Sequence, residues 1–268
     1  MLSRAQRLFI TALALLLLVN TADARRRSRA RRAPLRPTTV AVIGAGNYGT
    51  ALAQRLALNG HKVKLWAHEA DVVAGIRRTG INPRFLQSIP LDPKVKPHGS
   101  LKKALRGKKV VVVAVPSAHL AGVAKRMAPY LDKDAVVVSA TKGLSSQGGF
   151  STMTEVLAKA LKGRVDERRL VAFSGPGFAK EIGERKRTIV TIAAKDTMVA
   201  SRVKGLFDTG RSFRVETSRD VVGVQFWGAA KNPLALISGL LEGLSVDRKT
   251  RQAVLGAAIG ELSQLAKR

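Results

Sequence analysis

Three glycines are spaced so that the backbone between them could bind a phosphate group. Gly44, Gly46 and Gly49 follow the pattern G-x-G-x-x-G between a β-branched run and a helical pattern. In such a turn the first glycine permits a sharp bend, the second lets backbone approach a pyrophosphate, and the third lets helix pack closely on strand. The free N–H groups at the helix start then face the phosphate. The spacing also fits an ordinary tight turn, but strand, glycines, helix and second strand follow in order from Thr39 to Trp66, which favours dinucleotide binding.

Two lysines lie among small residues in stretches that could line a ligand site. Lys142 lies in SATKGL, and Lys231 lies in GAAKNP. A lysine in a partly desolvated cleft can donate or accept a proton at a carbinol carbon, and its charge can hold a phosphate. Most lysines in so basic a chain are solvated, but the small flanking residues leave room for a ligand at these two. A third stretch of this kind is SGPGFAKE, at 174–181.

Alternating apolar and helical segments predict the framework that positions these residues. The predicted strands are Thr39–Ile43, Lys62–Trp66, Lys109–Ala114, Ala135–Ser139, Leu170–Phe173 and Ile189–Ala193, and the predicted helices are Gly49–Leu58, Ala70–Thr79, Leu101–Leu105, Leu120–Tyr130 and Ser151–Leu161. This alternation is typical of an α/β fold with a Rossmann-type doubly wound parallel sheet. We predict a dinucleotide-binding domain over residues 38–214. Helical spacing then takes over, so residues 215–268 are predicted to begin an all-α second domain that is incomplete.

Composition limits the classes of function. The 268 residues carry 47 Lys and Arg against 18 Asp and Glu, a net charge of +29, which favours anionic ligands. Only 4% are aromatic and no helix-turn-helix or zinc-finger signature occurs, so no specific nucleic-acid function is predicted. Binding of polyanions through charge alone stays open as an alternative, one that moderate salt would abolish. The chain has no cysteine, and its four histidines lack metal-ligand spacing, so no metal is predicted.

Residues 1–24 have the pattern of a secretory signal. Arg4 and Arg7 precede a twelve-residue apolar stretch, which is too short to span a bilayer, and ADA at 22–24 fits the cleavage pattern. Residues 25–37 form an arginine-rich linker, with seven arginines from Arg25 to Arg36. This linker is expected to be solvated and able to contact a polyanion or an anionic membrane nonspecifically. The sequence therefore predicts an exported or membrane-directed protein, with an organelle presequence as an alternative.

Eight stretches together resemble the NAD(P)-dependent sn-glycerol-3-phosphate dehydrogenases of the bacterial type. The stretches are IGAGNYGTALA (43–53), LWAHE (65–69), NPRFL (82–86), VPSAH (115–119), SATKGL (139–144), SGPGFAKE (174–181), SFRV (212–215) and GVQFWGAAKN (223–232). They follow the family order, and the combination of ATKG, SGPxFAKE and AxKN is more specific than the glycine pattern. The resemblance implies reversible, NAD(P)H-dependent reduction of dihydroxyacetone phosphate to sn-glycerol 3-phosphate, which feeds glycerophospholipid synthesis. It is also compatible with a homodimer, and with a cytoplasmic location as an alternative to export.

The resemblance implies a role for individual residues. Lys231 would transfer the proton, with Asn232 beside it, and Lys142 would touch both cofactor and substrate. Gly175 would line the substrate pocket, and Ala179 would lie against the cofactor. The remaining residues implied at the cofactor are Gly44, Gly46, Asn47, Tyr48, Gly49 and His68. The chemistry agrees, because an ammonium beside a ketone oxygen stabilises the charge that hydride addition leaves there and can then give up its proton.

The sequence departs from the family pattern at several points. Gly177 replaces a threonine and removes a hydroxyl from the substrate pocket, Trp227 replaces a small residue, and Pro233 is expected to kink a helix beside Lys231. Family members continue past the position of Arg268 into G-L-G-D and S-R-N segments, whose arginine grips phosphate and cofactor. These 268 residues contain neither segment. The alternative hypothesis is therefore that the chain is a truncated, non-catalytic homologue that binds a dinucleotide.

The sequence leaves the choice between NAD and NADP open. Glu69 lies twenty residues after Gly49, where an acidic residue favours NAD by binding the ribose 2′-hydroxyl. Arg77 and Arg78 are close enough in sequence to reach the 2′-phosphate of NADP. The resemblance favours NADPH slightly.

Overall fold

A computed structural model describes residues 37–146, 150–210 and 212–266 of the chain. The predicted signal at residues 1–24 and all of the predicted linker except its last residue lie outside the described residues. The strands are β1 (Thr39–Ile43), β2 (Lys62–Trp66), β3 (Val95–His98), β4 (Val110–Val113), β5 (Val136–Ser139), β6 (Leu144–Ser145), β7 (Ser151–Thr152), β8 (Leu170–Ser174), β9 (Thr188–Ala193) and β10 (Phe213–Ser218). The helices are α1 (Asn47–Leu58), α2 (Ala70–Thr79), α3 (Leu101–Leu105), α4 (Ser117–Met127), α5 (Met153–Ala160), α6 (Ala179–Gly183), α7 (Thr197–Phe207), α8 (Val221–Gly243) and α9 (Arg248–Leu265).

Eight of these strands form one sheet in the order β10-β9-β8-β5-β4-β1-β2-β3. Side chains alternate between two apolar cores along β1: Val40 and Val42 belong to one, and Ala41 and Ile43 belong to the other. Both faces of the sheet are therefore covered, which explains the nearly continuous valine runs of the central strands. This arrangement confirms the predicted Rossmann-type α/β fold, followed by the helical region of α8 and α9.

The predicted strands and helices are all present, with small shifts at their ends. Helix α1 begins at Asn47, because the turn at the glycines leads straight into it. The predicted helix Leu120–Tyr130 begins earlier, as α4 at Ser117, and its last residues form a separate 3-10 turn, Ala128–Tyr130. The sequence analysis missed β3, β6, β7, β10, α6 and α7, and the first two residues of the predicted helix Ser151–Leu161 form β7 instead. The edge strand β3 carries Pro97 among polar residues, so it lacks the apolar pattern that predicts a strand.

The sheet reverses direction once. Strand β9 is antiparallel to β8, and β10 is parallel to β9, whereas the other neighbouring strands of this sheet pair in parallel. The register through β9 places Ser218, the last residue of β10, level with Ala172 of β8, and the chain then continues toward the level at which β8 begins. Helix α8 starts there, where the Asp220 carboxylate accepts a hydrogen bond of 2.7 Å from the amide of Gly223.

Helix α8 packs along β8 and carries the residues of the GVQFWGAAKN stretch. It continues through Pro233 to Gly243, so the proline does not end it, and the expected kink stays a prediction. The predicted domain boundary between residues 214 and 215 falls inside β10 and also stays a prediction. Within the described part of the chain, no helix is long and apolar enough to cross a membrane.

Candidate active site

The glycine turn after β1 has the geometry that its spacing predicts. Gly44 has a φ of +107°, and a Cβ there would press on the carbonyl of Ala114. A Cβ on Gly49 would collide with the carbonyl of Gly44, so this glycine allows α1 to approach the turn. A Cβ on Gly46 would meet no atom within 4 Å. The space in front of Gly46 is thus an open cradle at a helix N-terminus, which fits the pyrophosphate of a dinucleotide.

A buried asparagine holds this turn in place. Asn82 has no solvent exposure, and its Nδ2 donates to the carbonyl of Ala45 at 2.8 Å and to Oγ1 of Thr50 at 2.9 Å. Its Oδ1 accepts from the amides of Arg84 and Phe85, both at 3.1 Å. The side chain of Asn82 therefore ties the loop that follows α2 to the glycine turn. The NPRFL stretch marked this loop in the sequence, but not the role of Asn82.

A cavity of about 870 Å³ opens in front of the glycine turn. Of the residues predicted at the cofactor, it is lined by Gly44, Gly46, Asn47, Tyr48, His68 and Lys142. Sequence reasoning missed Trp66, Phe85, His119 and Arg126, which line the same cavity. Gly49 and Ala179 are absent from its described lining: Gly49 supports the turn, and Ala179 packs partly buried against the adjoining apolar core. The contact of Ala179 with the cofactor stays a prediction.

Of the residues predicted to decide between NAD and NADP, the acidic one lines the cavity and the two basic ones are absent from its described lining. Glu69 lines the cavity, as its distance from the glycines predicts. Arg77 and Arg78 are exposed in the last turn of α2, and among the described lining residues neither is present. Arg77 donates from Nη2 to the carbonyl of Pro97 at 3.4 Å instead. The arginine that lines the cavity is Arg126.

Lys142 lies just past the end of β5 and lines the cavity. Thr141 holds its loop, because Oγ1 of Thr141 donates to the carbonyl of Val115 at 2.9 Å. The Nζ of Lys142 lies 5.0 Å from the centroid of the Tyr48 ring and donates to the carbonyl of Gly175 at 3.4 Å. Burial, and then the positive charge of Lys231, lower the pKa of Lys142. This partly desolvated ammonium therefore favours an anionic ligand beside it.

The ring of Tyr48 contacts the ammonium group of Lys142. Its ring packs edge-on against Phe173, with 6.5 Å between the centroids. The hydroxyl is buried and has no hydrogen-bond partner among the described residues, and burial raises the pKa of this phenol. The neutral ring thus presents its face to the ammonium of Lys142.

Lys231 approaches the same region from α8. Its Nζ donates to the carbonyl of Pro176 at 3.3 Å and lies 4.6 Å from the centroid of the Phe178 ring. Gly228, one turn earlier, allows the close approach of α8, because a Cβ there would collide with Oγ of Ser174 at the end of β8. Asn232 is exposed, and among the described residues its side chain makes no hydrogen bond.

The loop between β8 and α6 joins the two lysines. Lys142 and Lys231 donate to the carbonyls of the consecutive residues Gly175 and Pro176. Gly175 packs against β9, where a Cβ would lie 2.8 Å from the carbonyl of Ile189. Gly177, which replaces the threonine of the family pattern, leaves room for Thr188, because a Cβ there would collide with its methyl group. The structure thus brings Lys142, Lys231 and Gly175 together.

Acidic and histidine side chains do not gather into a metal site in the described ranges. Within residues 37–146, 150–210 and 212–266, no three of them are grouped so that they could hold a metal ion. The absence of a metal stays a prediction. The charged groups that the structure brings together after β8 are the ammonium groups of Lys142 and Lys231.

The fold, the cradle and the paired lysines define a Rossmann-type nucleotide-dependent oxidoreductase. Two family models match: the N-terminus of NAD-dependent glycerol-3-phosphate dehydrogenase over residues 39–200, and the C-terminus of the same enzyme over residues 220–268. The chain belongs to the NAD-dependent glycerol-3-phosphate dehydrogenase family. The resemblance seen in the eight sequence stretches is thereby confirmed.

Known proteins support the same assignment. The chain is 39% identical over 227 residues to a glycerol-3-phosphate dehydrogenase [NAD(P)+] of Myxococcus xanthus, covering 85% of this chain and 67% of that protein. It is 41% identical over 228 residues to the protein of the same name in Koribacter versatilis, with the same coverage. The crystal structure of a glycerol-3-phosphate dehydrogenase from Coxiella burnetii matches with a TM-score of 0.79 and 32% identity, over 86% of this chain and 69% of that one. The chain spans about two thirds of the length of these relatives.

Proposed function

We propose that this protein catalyses the reversible, NAD(P)H-dependent reduction of dihydroxyacetone phosphate to sn-glycerol 3-phosphate, a step that feeds glycerophospholipid synthesis. The observation that carries the proposal is the convergence of Lys142 and Lys231 on the carbonyls of Gly175 and Pro176, next to an open pyrophosphate cradle at Gly46. This arrangement suits a substrate that combines an anionic group with a reducible carbonyl.

The cradle and the cavity are the parts that would hold the cofactor. Gly44 and Gly46 shape the turn at the pyrophosphate, and His68 and Glu69 lie on the wall that follows β2. When bound, the reduced nicotinamide supplies a hydride. Asn47 helps to fix the cavity wall, since its Oδ1 accepts a hydrogen bond from the amide of Leu86 at 3.0 Å.

The two lysines have different roles in binding the substrate and transferring the proton. Lys231 holds its ammonium where it can stabilise negative charge on the ketone oxygen and deliver a proton to that oxygen. An anion beside Lys142 offsets both the desolvation and the repulsion by Lys231 that lower the pKa of Lys142. We therefore assign the substrate phosphate chiefly to Lys142 and the proton transfer to Lys231.

An oxidation assay on the whole 268-residue chain tests the proposal. NADPH or NADH is mixed with dihydroxyacetone phosphate, and the loss of reduced-nicotinamide absorbance is followed. We expect oxidation that depends on the substrate, and weaker binding by about ten- to a hundredfold for dihydroxyacetone, which lacks the phosphate and its charge-assisted contacts. Cofactor binding without any oxidation would contradict the proposal and favour the non-catalytic homologue.

We further propose that residues 1–24 direct export, and this prediction has its own test. The full chain is expressed in a bacterial host, and the N-terminus of the product is determined by mass spectrometry. We expect removal of residues 1–24, so that the mature chain begins at Arg25. A variant with Leu15→Arg and Leu16→Arg should keep the leader, because charge interrupts the apolar stretch. A wild-type product that keeps Met1 and stays in the cytoplasm would contradict export.

Two further partners belong to this proposal. A homodimer and nonspecific contact of Arg25 to Arg36 with a polyanion or an anionic membrane both stay predictions. Seven arginines without an acidic residue support the second, and its dependence on salt would distinguish it from binding at the cavity.

A further inference from the structure

Arg126 lines the cavity that the glycine turn opens into. It belongs to the last turn of α4, and its guanidinium carbon lies 5.8 Å from the centroid of the Trp66 ring. This distance is within the range of a cation–π contact. Both residues line the cavity that the glycine turn opens into.

Trp66 is a fixed platform for this arginine. It is the last residue of β2, its side chain is 3% exposed, and its Nε1 donates to the carbonyl of Gly99 at 3.1 Å. Arg126 is itself exposed, and no carboxylate among the described residues forms an ion pair with it. Its N–H groups are therefore available to a ligand while the guanidinium stays in contact with the Trp66 ring.

The position of this pair along the sheet identifies the part of the ligand it would meet. In dinucleotide-binding folds, the residues just past the second strand face the ribose beside the adenine, where an acidic group binds the 2′-hydroxyl or an arginine binds a 2′-phosphate. Here β2 ends at Trp66, and Glu69 lines the same cavity. Arg126 reaches that wall from α4, whereas Arg77 and Arg78 are absent from its described lining.

We propose that Arg126 is a specificity-determining residue that binds the 2′-phosphate of NADP(H), and that Glu69 opposes it by favouring the 2′-hydroxyl of NAD(H). The inference rests on the proposed function, because it requires a dinucleotide in this cavity. A guanidinium matches a phosphate with two parallel hydrogen bonds, and its cation–π contact with Trp66 reduces the rotamer freedom that binding must remove.

The experiment compares nucleotides that differ only by that phosphate. Dissociation constants of the full chain are measured by fluorescence titration with NADPH and NADH, and by competition with 2′,5′-ADP and 5′-AMP. Arg126→Met keeps an apolar stem against Trp66 and removes the charge. We expect this substitution to raise the dissociation constants of NADPH and 2′,5′-ADP by about ten- to a hundredfold. The dissociation constants of NADH and 5′-AMP should rise by less than about threefold. Glu69→Gln should act in the opposite sense and strengthen NADPH relative to NADH.

A matched control separates a specific contact from general charge. Lys125→Met makes the same change of charge at the neighbouring exposed position, which is absent from the described cavity lining, and should leave the ratio of NADPH to NADH affinity unchanged. Equal losses for NADPH and NADH in Arg126→Met would overturn the inference and indicate stacking on the adenine. No change for either nucleotide would overturn it as well. A wild-type chain that binds neither nucleotide would overturn the proposed function together with this inference.

Discussion

Valine at position 46 is expected to abolish dinucleotide binding while leaving the fold intact. A Cβ on Gly46 would meet no atom within 4 Å, so we expect the folded chain to accept the side chain, which then fills the space where a pyrophosphate would approach the backbone. Fluorescence titration with NADPH measures the loss of binding. Thermal unfolding of the same variant should show a melting temperature close to that of the wild-type chain.

The matched control for this substitution is Gly239→Val. An added Cβ at Gly239 also meets no atom within 4 Å, and this exposed glycine of α8 is absent from the described cavity lining. Its affinity for NADPH should equal that of the wild type. Unchanged affinity in Gly46→Val would show that the glycine turn does not hold the cofactor.

Loss of the Lys231 amine should lower turnover far more than cofactor affinity. In Lys231→Ala the ketone oxygen loses its proton donor, and such groups typically contribute about 10² to 10⁴-fold to the rate. The nucleotide cradle lies on other elements, so the dissociation constant for NADPH should change by less than about threefold. Steady-state kinetics with dihydroxyacetone phosphate and nucleotide titration on the same preparation separate these two effects.

Lys249→Ala is the corresponding control, because it removes the same charge from an exposed position at the start of α9. It should leave turnover unchanged. A loss below about fivefold in Lys231→Ala would place the proton donor elsewhere in the site, and Lys142 would then be the first group to test.

The sequence predicted those parts of the site that are written in short, continuous patterns. The glycine turn could be read from three residues flanked by an apolar run and a helical pattern, and each glycine has the packing that its position demands. The lysines were singled out because small residues flank them. Both then proved to reach the same loop after β8.

Other parts depend on contacts between distant segments and left no local signal. Asn82 supports the turn at Ala45 through a buried side chain, yet in the sequence it is one asparagine in a polar loop. Arg126 lines the cavity beside Trp66, a residue sixty positions earlier in the chain, so its place there depends on the tertiary fold. The reversal at β9 was also hidden, since an apolar run such as Ile189–Ala193 has the same pattern in either direction.

That reversal fixes where Lys231 lies along β8. Because β9 and β10 run opposite to β8, α8 starts near the beginning of β8. The helix then runs along β8 in the same direction as the strand. The five residues of β8 extend about 16 Å, and Lys231, ten positions into α8, is displaced by about 15 Å along the helix axis. The distance along α8 to Lys231 therefore matches the length of β8. Removal of one residue before Lys231 would withdraw the amine by about 1.5 Å and turn it by about 100° away from the carbonyl of Pro176, so this segment can vary in its exposed side chains but not in its length.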